Sequence, residues 1–339
     1  MKLITFEENN KLMTGILNSK TQEINILSIE NDNPFSFSST LQVIQYMNGD
    51  WSKVQDIVSE KSTQLSKIDL KTPVPDSTYI TEIDILMTNR HIVSMTQPSL
   101  SHVLPKDSPL GSNSKFAPVR TLPESVLNDP NGIFEVPDYS SNLRVNISLA
   151  FIVGKTYGIN STYEEESVLG YTIMASCRDF SIEKLSKKPF KNRDASCTNL
   201  WHSRWHDGSH PTGPWIIPVK EINLKNLQYN LSCAQTGDKR EFSGTIPYLP
   251  KDIMYQLTPL VDFYPGDLMA TGFVFDDIVL DSNNKDEAFD FKGSISGVGA
   301  IEFSVQFSRR KTPGYNIQFR PYIQEAIDDC INSGFENEL

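Results

Sequence analysis

The chain has 339 residues, 38% hydrophobic, 10% aromatic and 22% charged, a soluble globular composition with room for one large core or two modest ones. Its net charge of −11 and pI near 5.0 repel phosphate backbones and anionic bilayers, and no basic cluster offsets them, so neither nucleic acid nor a membrane is an expected partner. The longest apolar runs fall well short of the ~20 residues a spanning helix needs.

MKLITFEEN, LMTGIL and EINILSI alternate as short strands, with turns at Glu8–Asn10 and near Lys20. The opening has a single lysine before it turns acidic, unlike a secretory leader. LQVIQYMNGDWSKVQDIVSEKST then spaces its apolar residues as a helix does, around a break at Asn48-Gly49-Asp50. In LKTPVPDST, Pro73 and Pro75 enforce an extended connection. We place a boundary there, between a small N-terminal α+β domain (1–72) and a larger domain (73–339).

Beyond it come short β-type runs punctuated by Gly, Pro, Asn and Asp: ITEIDILM, VNISLAFIV, GYTIMAS, PWIIPV, LQYNLSCA, DLMATGFVF and IEFSVQF. In the last of these, Ile301, Phe303, Val305 and Phe307 alternate as in a strand with one wet face. Helical patterns are few, one near Asp252–Leu260 and a final one at PYIQEAIDDCINSGF, stopped by Gly334. The expected fold is therefore α+β and β-rich, a sandwich or rolled barrel and not a doubly wound sheet. SLSHVLPKDSPLGSNSKF and VLDSNNKDEAFDFKGS read as polar loops. Cys177, Cys197, Cys233 and Cys330 form no C-x-x-C pair, which fits reduced thiols in a cytoplasmic protein. Cys177 is either a small buried hydrophobe or a nucleophile.

Five blocks resemble, in order, the fumarylacetoacetate hydrolase (FAH) superfamily. LKTPVPDSTYITEIDIL is similar to its linker and first strand. LRVNISLAFIVGK (143–155) is similar to its E-x-E-L-A-x-V-I-G-K strand, and VLGYTIMASCRDFS (168–181) to its G-Y-T-x-x-N-D segment. GPWIIPVKEINL and FYPGDLMATG are similar to its G-P-W-x-V and L-x-P-G-D-L-I-x-T-G stretches. The resemblance implies a mixed β-roll behind a small N-terminal domain, a homodimer, and metal-assisted C–C hydrolysis, isomerisation or decarboxylation of oxo acids. In that chemistry a divalent cation held by carboxylates stabilises an enolate, a lysine assists, and a His/Glu pair activates water.

Several of those residues differ here. The carboxylate positions carry Asn146, Ser148 and Ser176, neutral oxygens that leave a Mg²⁺ site lost or very weak, so no metal or other cofactor is expected. Glu164, Glu165 and Glu166 are either a relocated ligand set or a solvated turn. The lysine position falls on Arg204 and a loop aspartate on Asp207; Arg204 either holds a substrate anion or pairs with Asp207 on the surface. In MTNRHIVSMTQ, Asn89 fits the family lid but Val93 and Thr96 replace its histidine and glutamate. His91, about 6–7 Å away along an extended chain, either compensates or is an ordinary loop histidine.

His202, His206 and His210 recur every four residues among Trp201 and Trp205, but Gly208 and Pro211 stop a helix. Three readings stay open: a transition-metal site, an aromatic and protonatable wall against substrate, or a structural loop. After Thr271, the run Phe273-Val274-Phe275 makes either an apolar pocket edge or packing beneath the next loop.

Two functional classes follow. In the first, a repurposed, metal-free enzyme acts on a small carbonyl or enol substrate by isomerisation, decarboxylation, condensation or C–C cleavage. Arg204, His202, His206 and His91 are its expected catalytic groups, and Asn146, Ser148, Ser176, Asp207, Thr271 and Phe273 its expected substrate contacts. In the second, the chain is a non-catalytic homologue kept for its fold. Metal-dependent hydrolysis with relocated ligands is a further alternative.

Overall fold

A computed structural model describes residues 1–27, 37, 39–77, 79–83, 119–137, 140–179, 203–246, 248–281 and 287–307. The N-terminal strands are β1 (Lys2–Glu8), β2 (Lys11–Asn18) and β3 (Glu23–Leu27). Asn9 and Asn10 both take positive φ (54° and 60°), the two-residue turn that matches strand twist in a tight hairpin and that asparagine tolerates best among residues with a Cβ. Helix α1 (Thr40–Met47) starts at Ser39, whose side chain accepts from Gln42 N–H, and stops at Asn48 in the left-handed conformation.

The helical spacing expected beyond the Asn48-Gly49-Asp50 break ends early. Asp50 accepts from Ser52 N–H and starts a tight 3₁₀ segment, Trp51–Ile57, which gives way to β4 (Val58–Gln64) paired with β3. The short strands β5 (Asp69–Leu70) and β6 (Ile80–Ile83) follow, then β7 (Val119–Leu122), β8 (Leu127–Asn128) and β9 (Ile133–Val136).

Two long strands, β10 (Asn142–Val153) and β11 (Val168–Asp179), form an antiparallel ladder. The remaining strands are β12 (His210–Pro218), β13 (Leu227–Cys233), β14 (Lys239–Gly244), β15 (Leu268–Phe273), β16 (Ile278–Asp281), β17 (Ala288–Ile295) and β18 (Gly299–Phe307). Helix α2 (Pro250–Leu257) begins at proline, where the missing N–H costs nothing. The helix pattern at PYIQEAIDDCINSGF lies outside the described residues.

Among the described residues the strands form two sheets. The larger runs β4-β3-β2-β1-β12-β11-β10-β15-β6-β7, with β5, β8 and β16 pairing β1, β12 and β10 respectively; the smaller runs β14-β13-β17-β18-β9. Its strands alternate as expected: Ile301, Phe303, Val305 and Phe307 are buried while Glu302 is exposed.

The ladder is buried on both faces. Leu143, Val145, Ile147, Leu149 and Phe151 of β10, with Ile173, Ala175 and Cys177 of β11, meet the smaller sheet in the main core. Gly293 lets the sheets approach there, since a Cβ would sit 3.0 Å from Ile147 Cγ2. Ala150 and Ile152 of β10 and Met174 of β11 belong to a second core on the other face, against α1. That second face, farther along the same strands, carries the polar residues.

Candidate active site

Asn146 and Ser176 stand directly opposite each other in the ladder, and Ser148 lies two residues along. Cross-strand partners point the same way, and even-numbered positions point away from the main core, so the three share one face. The structure thus brings these expected contacts together. Their polar atoms are engaged: Asn146 Nδ2 donates to Phe275 O and to Asp277 Oδ1, both at 2.9 Å, and Ser148 Oγ donates to Met174 O at 3.4 Å.

Around them lie buried charges. Arg178, two residues beyond Ser176, pairs with Asp277, and its guanidinium lies 4.7 Å from the Phe273 ring centroid. Arg144 approaches the other oxygen of Asp277 at 3.8 Å. Arg204 Nε donates to Glu82 Oε2 at 2.7 Å, with both residues almost wholly buried. The surface pair of Arg204 with Asp207 is therefore corrected: Asp207 is exposed, and the chain turns Arg204 inward to β6. Glu82 Oε1 is buried without a hydrogen-bond partner.

His210 is fully buried between two hydroxyls. Its Nδ1 lies 2.9 Å from Ser209 Oγ and its Nε2 lies 3.2 Å from Ser176 Oγ. Ser209 Oγ donates to Arg204 O (3.3 Å), so it accepts from His210 Nδ1–H, and this network leaves Nε2 to accept from Ser176. Burial pushes His210 down to about 4; Glu82 opposes the shift, and Arg204, Arg178 and His206 add to it. The imidazole is neutral at pH 7. His206 Nε2 is 3.5 Å from Asp179 Oδ2, and its ring is 6.2 Å from that of Phe134.

Cys177 faces the main core and burial raises its thiol, which leaves it protonated and inert, not nucleophilic. Glu164 to Glu166 form an exposed 3₁₀ turn with a capping box at Glu164, the solvated reading. Thr271 Oγ1 donates to Leu149 O (2.9 Å), and Phe273 and Val274 are buried, with the Phe273 ring against Arg178 at the border of the polar face. His206 and His210 lie in a turn and the start of β12, not on a helix. His91, His202, Trp201, Asn89, Val93 and Thr96 lie outside the described residues.

The sequence reading missed Glu82, Arg178, Asp179, Ser209 and Asp277, and passed over His210 as a site residue. Arg178 was within reach, since period-two alternation puts it on the face of Ser176. Glu82 shares Ile80's side of β6 by the same rule, but nothing local marks its partner, which is 122 residues away. As a divalent-metal site the face fits poorly. Its neutral donors are already bonded, its carboxylates are paired with guanidinium groups, and among the described residues no three His, Cys, Asp or Glu side chains converge as ligands.

A two-sheet roll with a long central ladder and a polar face beside a G-P-W strand defines the class of FAH-type folds. The chain belongs to the fumarylacetoacetate (FAA) hydrolase C-terminal family, whose pattern matches residues 97–286. A fumarylacetoacetate hydrolase of Exiguobacterium antarcticum is 20% identical and covers 91% of this chain and 100% of its own, with a TM-score of 0.65. A 5-carboxymethyl-2-hydroxymuconate delta-isomerase of Mycobacterium smegmatis is 15% identical, covering 90% of this chain and 99% of its own, with a TM-score of 0.60. At these identities the likeness establishes the fold. An uncharacterized protein of Pyrococcus abyssi is 27% identical over 203 residues, 58% of this chain and 83% of that one.

Proposed function

We propose that the chain is an FAH-family enzyme that acts on a small carbonyl or enol substrate bearing a carboxylate, with arginines in place of the divalent cation. The observation that carries this reading is the placing of Arg144 and Arg178 beside Asn146 and Ser176, with Arg204 acting electrostatically on His210, the partner of Ser176, where the family resemblance calls for a cation held by carboxylates. A guanidinium stabilises an enolate or carboxylate by bidentate hydrogen bonds and keeps its charge at any working pH.

The reaction class that suits these groups is proton transfer next to a carbonyl, as in keto–enol isomerisation or decarboxylation. Arg178 and Arg204 hold the developing oxyanion in a site where low polarity strengthens the contact. His206, whose Nε2 lies 3.5 Å from buried Asp179 Oδ2, carries the proton, and His91 and His202 remain candidates for the same task. The neutral His210 keeps Ser176 in a fixed rotamer.

The test is turnover of a panel of 2-oxo and β-dicarbonyl acids by purified protein, with and without EDTA, alongside metal analysis. We expect turnover that survives EDTA and is lost in Arg178→Met. One tight metal equivalent together with EDTA-sensitive turnover would defeat the proposal. A second reading, a non-catalytic homologue, is favoured by one observation: Asn146, Ser148, Ser176 and Arg204 are each at most 1% exposed. It requires that no substrate in the panel is turned over while the fold is intact.

A further inference from the structure

A second site lies outside the polar face. Where the smaller sheet meets the start of β1 there is an open cleft of about 400 Å³, bordered by Lys2, Gln228, Asn230, Ser294, Ser296 and Gly299. It shares no residue with the candidate active site, and its volume suits a small ligand.

Its walls follow from strand parity. Leu227, Tyr229 and Leu231 of β13 enter the core, so Gln228 and Asn230 point outward, and Asn230 stands opposite Ser294 of β17. Ser296 Oγ accepts from Gln228 N–H at 2.8 Å, which leaves its own hydrogen to donate. The turn before β18 is fixed by Trp215, whose Nε1 donates to Val298 O at 2.5 Å. Gly299 is required beside that indole: its φ is +150°, and a Cβ would lie 3.2 Å from Trp215 Cζ2.

The ammonium of Lys2 rests 3.7 Å from the centroid of the Trp215 ring. Some lysines in this acidic chain have carboxylates at hand: Lys71 reaches Glu7 (2.9 Å) and Asp129, Lys155 reaches Glu164 (2.7 Å), and Lys292 reaches Glu302 (2.5 Å). Among the described residues Lys2 makes no such ion pair and instead meets Trp215. Glu221, the acid that acts on it, is bonded to the Met1 amine at 2.7 Å. Partial burial without a contacting counter-ion lowers the Lys2 pKa, the reverse of Lys71, which its carboxylates raise. The cleft thus pairs one desolvated cation, held by an aromatic face, with a bank of carboxamides and hydroxyls.

We propose that this cleft binds a small hydroxylated molecule carrying one anionic group, a phosphate or a carboxylate. The anion sits against Lys2 Nζ, and the ligand's hydroxyls bond to Asn230, Gln228, Ser294 and Ser296. The carboxamides suit hydroxyls because each offers both a donor and an acceptor.

Isothermal titration of the full chain, tagged at its C-terminal end if at all, tests this with glucose 6-phosphate, gluconate, glucose and inorganic phosphate as probes. Saturable binding of glucose 6-phosphate or gluconate is expected, with glucose and inorganic phosphate each weaker by about tenfold or more. Which anionic sugar binds more tightly identifies phosphate or carboxylate as the group recognised. Lys2→Met keeps the aliphatic stem on Trp215 and removes the charge; it should weaken the better probe by about tenfold. Asn230→Ala, an exposed truncation, should weaken that probe severalfold while leaving inorganic phosphate unchanged. The proposal is overturned if neither anionic sugar binds, if glucose or phosphate binds equally well, or if a folded Lys2→Met protein retains full affinity.

Discussion

The two faces of the β10–β11 ladder share the same backbone and the same hydrogen bonds, yet one is dry and the other ionic. Odd-numbered residues from Leu143 to Phe151 press into the smaller sheet as plain hydrocarbon. On the reverse, Asn146 and Arg178 meet Asp277, and Ser176 meets His210, which feels the charges of the buried Arg204–Glu82 pair. The dry face stabilises by removing apolar area from water, roughly 25 cal/mol per Å². The ionic face gains little net stability, because each attraction offsets a desolvation cost of several kcal/mol per ion. What distinguishes the faces is tolerance: the dry one loses in proportion to atoms removed, the ionic one fails when a partner is taken away.

The largest test of that contrast is Glu82→Gln, which leaves Arg204 buried beside a neutral amide. It should cost about 3–5 kcal/mol in chemical denaturation, while the double change Glu82→Leu with Arg204→Met should recover most of it. Recovery of nothing would mean that the pair itself supplies the stability. On the dry face, Ile147→Ala should cost about 2–4 kcal/mol, with no second change that rescues it by charge neutralisation.

Buried groups without a charged contact sharpen the comparison through pH. His210 is held at about 4, below its unfolded value, so the unfolded chain takes up its proton first and stability falls as pH drops from about 6.5 towards 4. Asp267, whose Oδ2 accepts from Tyr264 N–H, is pushed up by burial to about 6. There the folded state takes up the proton first, so stability rises as pH falls from about 6 towards 4. The two oppose each other across one window. His210→Gln should therefore remove up to about 3 kcal/mol of acid-side loss, and Asp267→Asn should add about 2 kcal/mol at pH 7 while abolishing the acid-side gain. Denaturation midpoints between pH 4 and 7 for both variants measure this; parallel curves for wild type and variants would contradict it. The smallest effect belongs to a solvated pair. Lys155 and Glu164 lie 2.7 Å apart but are about half exposed, so Lys155→Ala should change stability by less than about 1 kcal/mol.

The two faces also explain what the sequence could reveal. The ladder, the PGD turn and the G-P-W strand are local patterns; alternation puts Asn146 and Ser148 on one face, and the family resemblance adds Ser176 to them. The turn at Asn9-Asn10 and the stop at Asn48 were likewise legible, because each needs a backbone conformation that few residues accept. The partners on the ionic face were not. Glu82, Asp277 and His210 come from three distant segments, and no periodicity links a glutamate in one strand to an arginine in a loop far along the chain. The helical spacing read beyond Asp50 also misled, because a 3₁₀ turn and a helix share similar apolar spacing over so short a stretch.

The contact between β1 and β12 carries a cost in time. Leu3 pairs with Ile216, so the Leu3 end of this edge waits for a strand far along the chain, while Phe6 and Glu7 on the same edge pair early with Leu70 and Asp69 of β5. Until β12 arrives β1 can close its hairpin with β2 and dock β5, but the Leu3 end of the edge stays bare, a template for wrong strands. Closing so long a loop makes this seam a late event in folding, and slow synthesis through the β12 codons would lengthen the exposure.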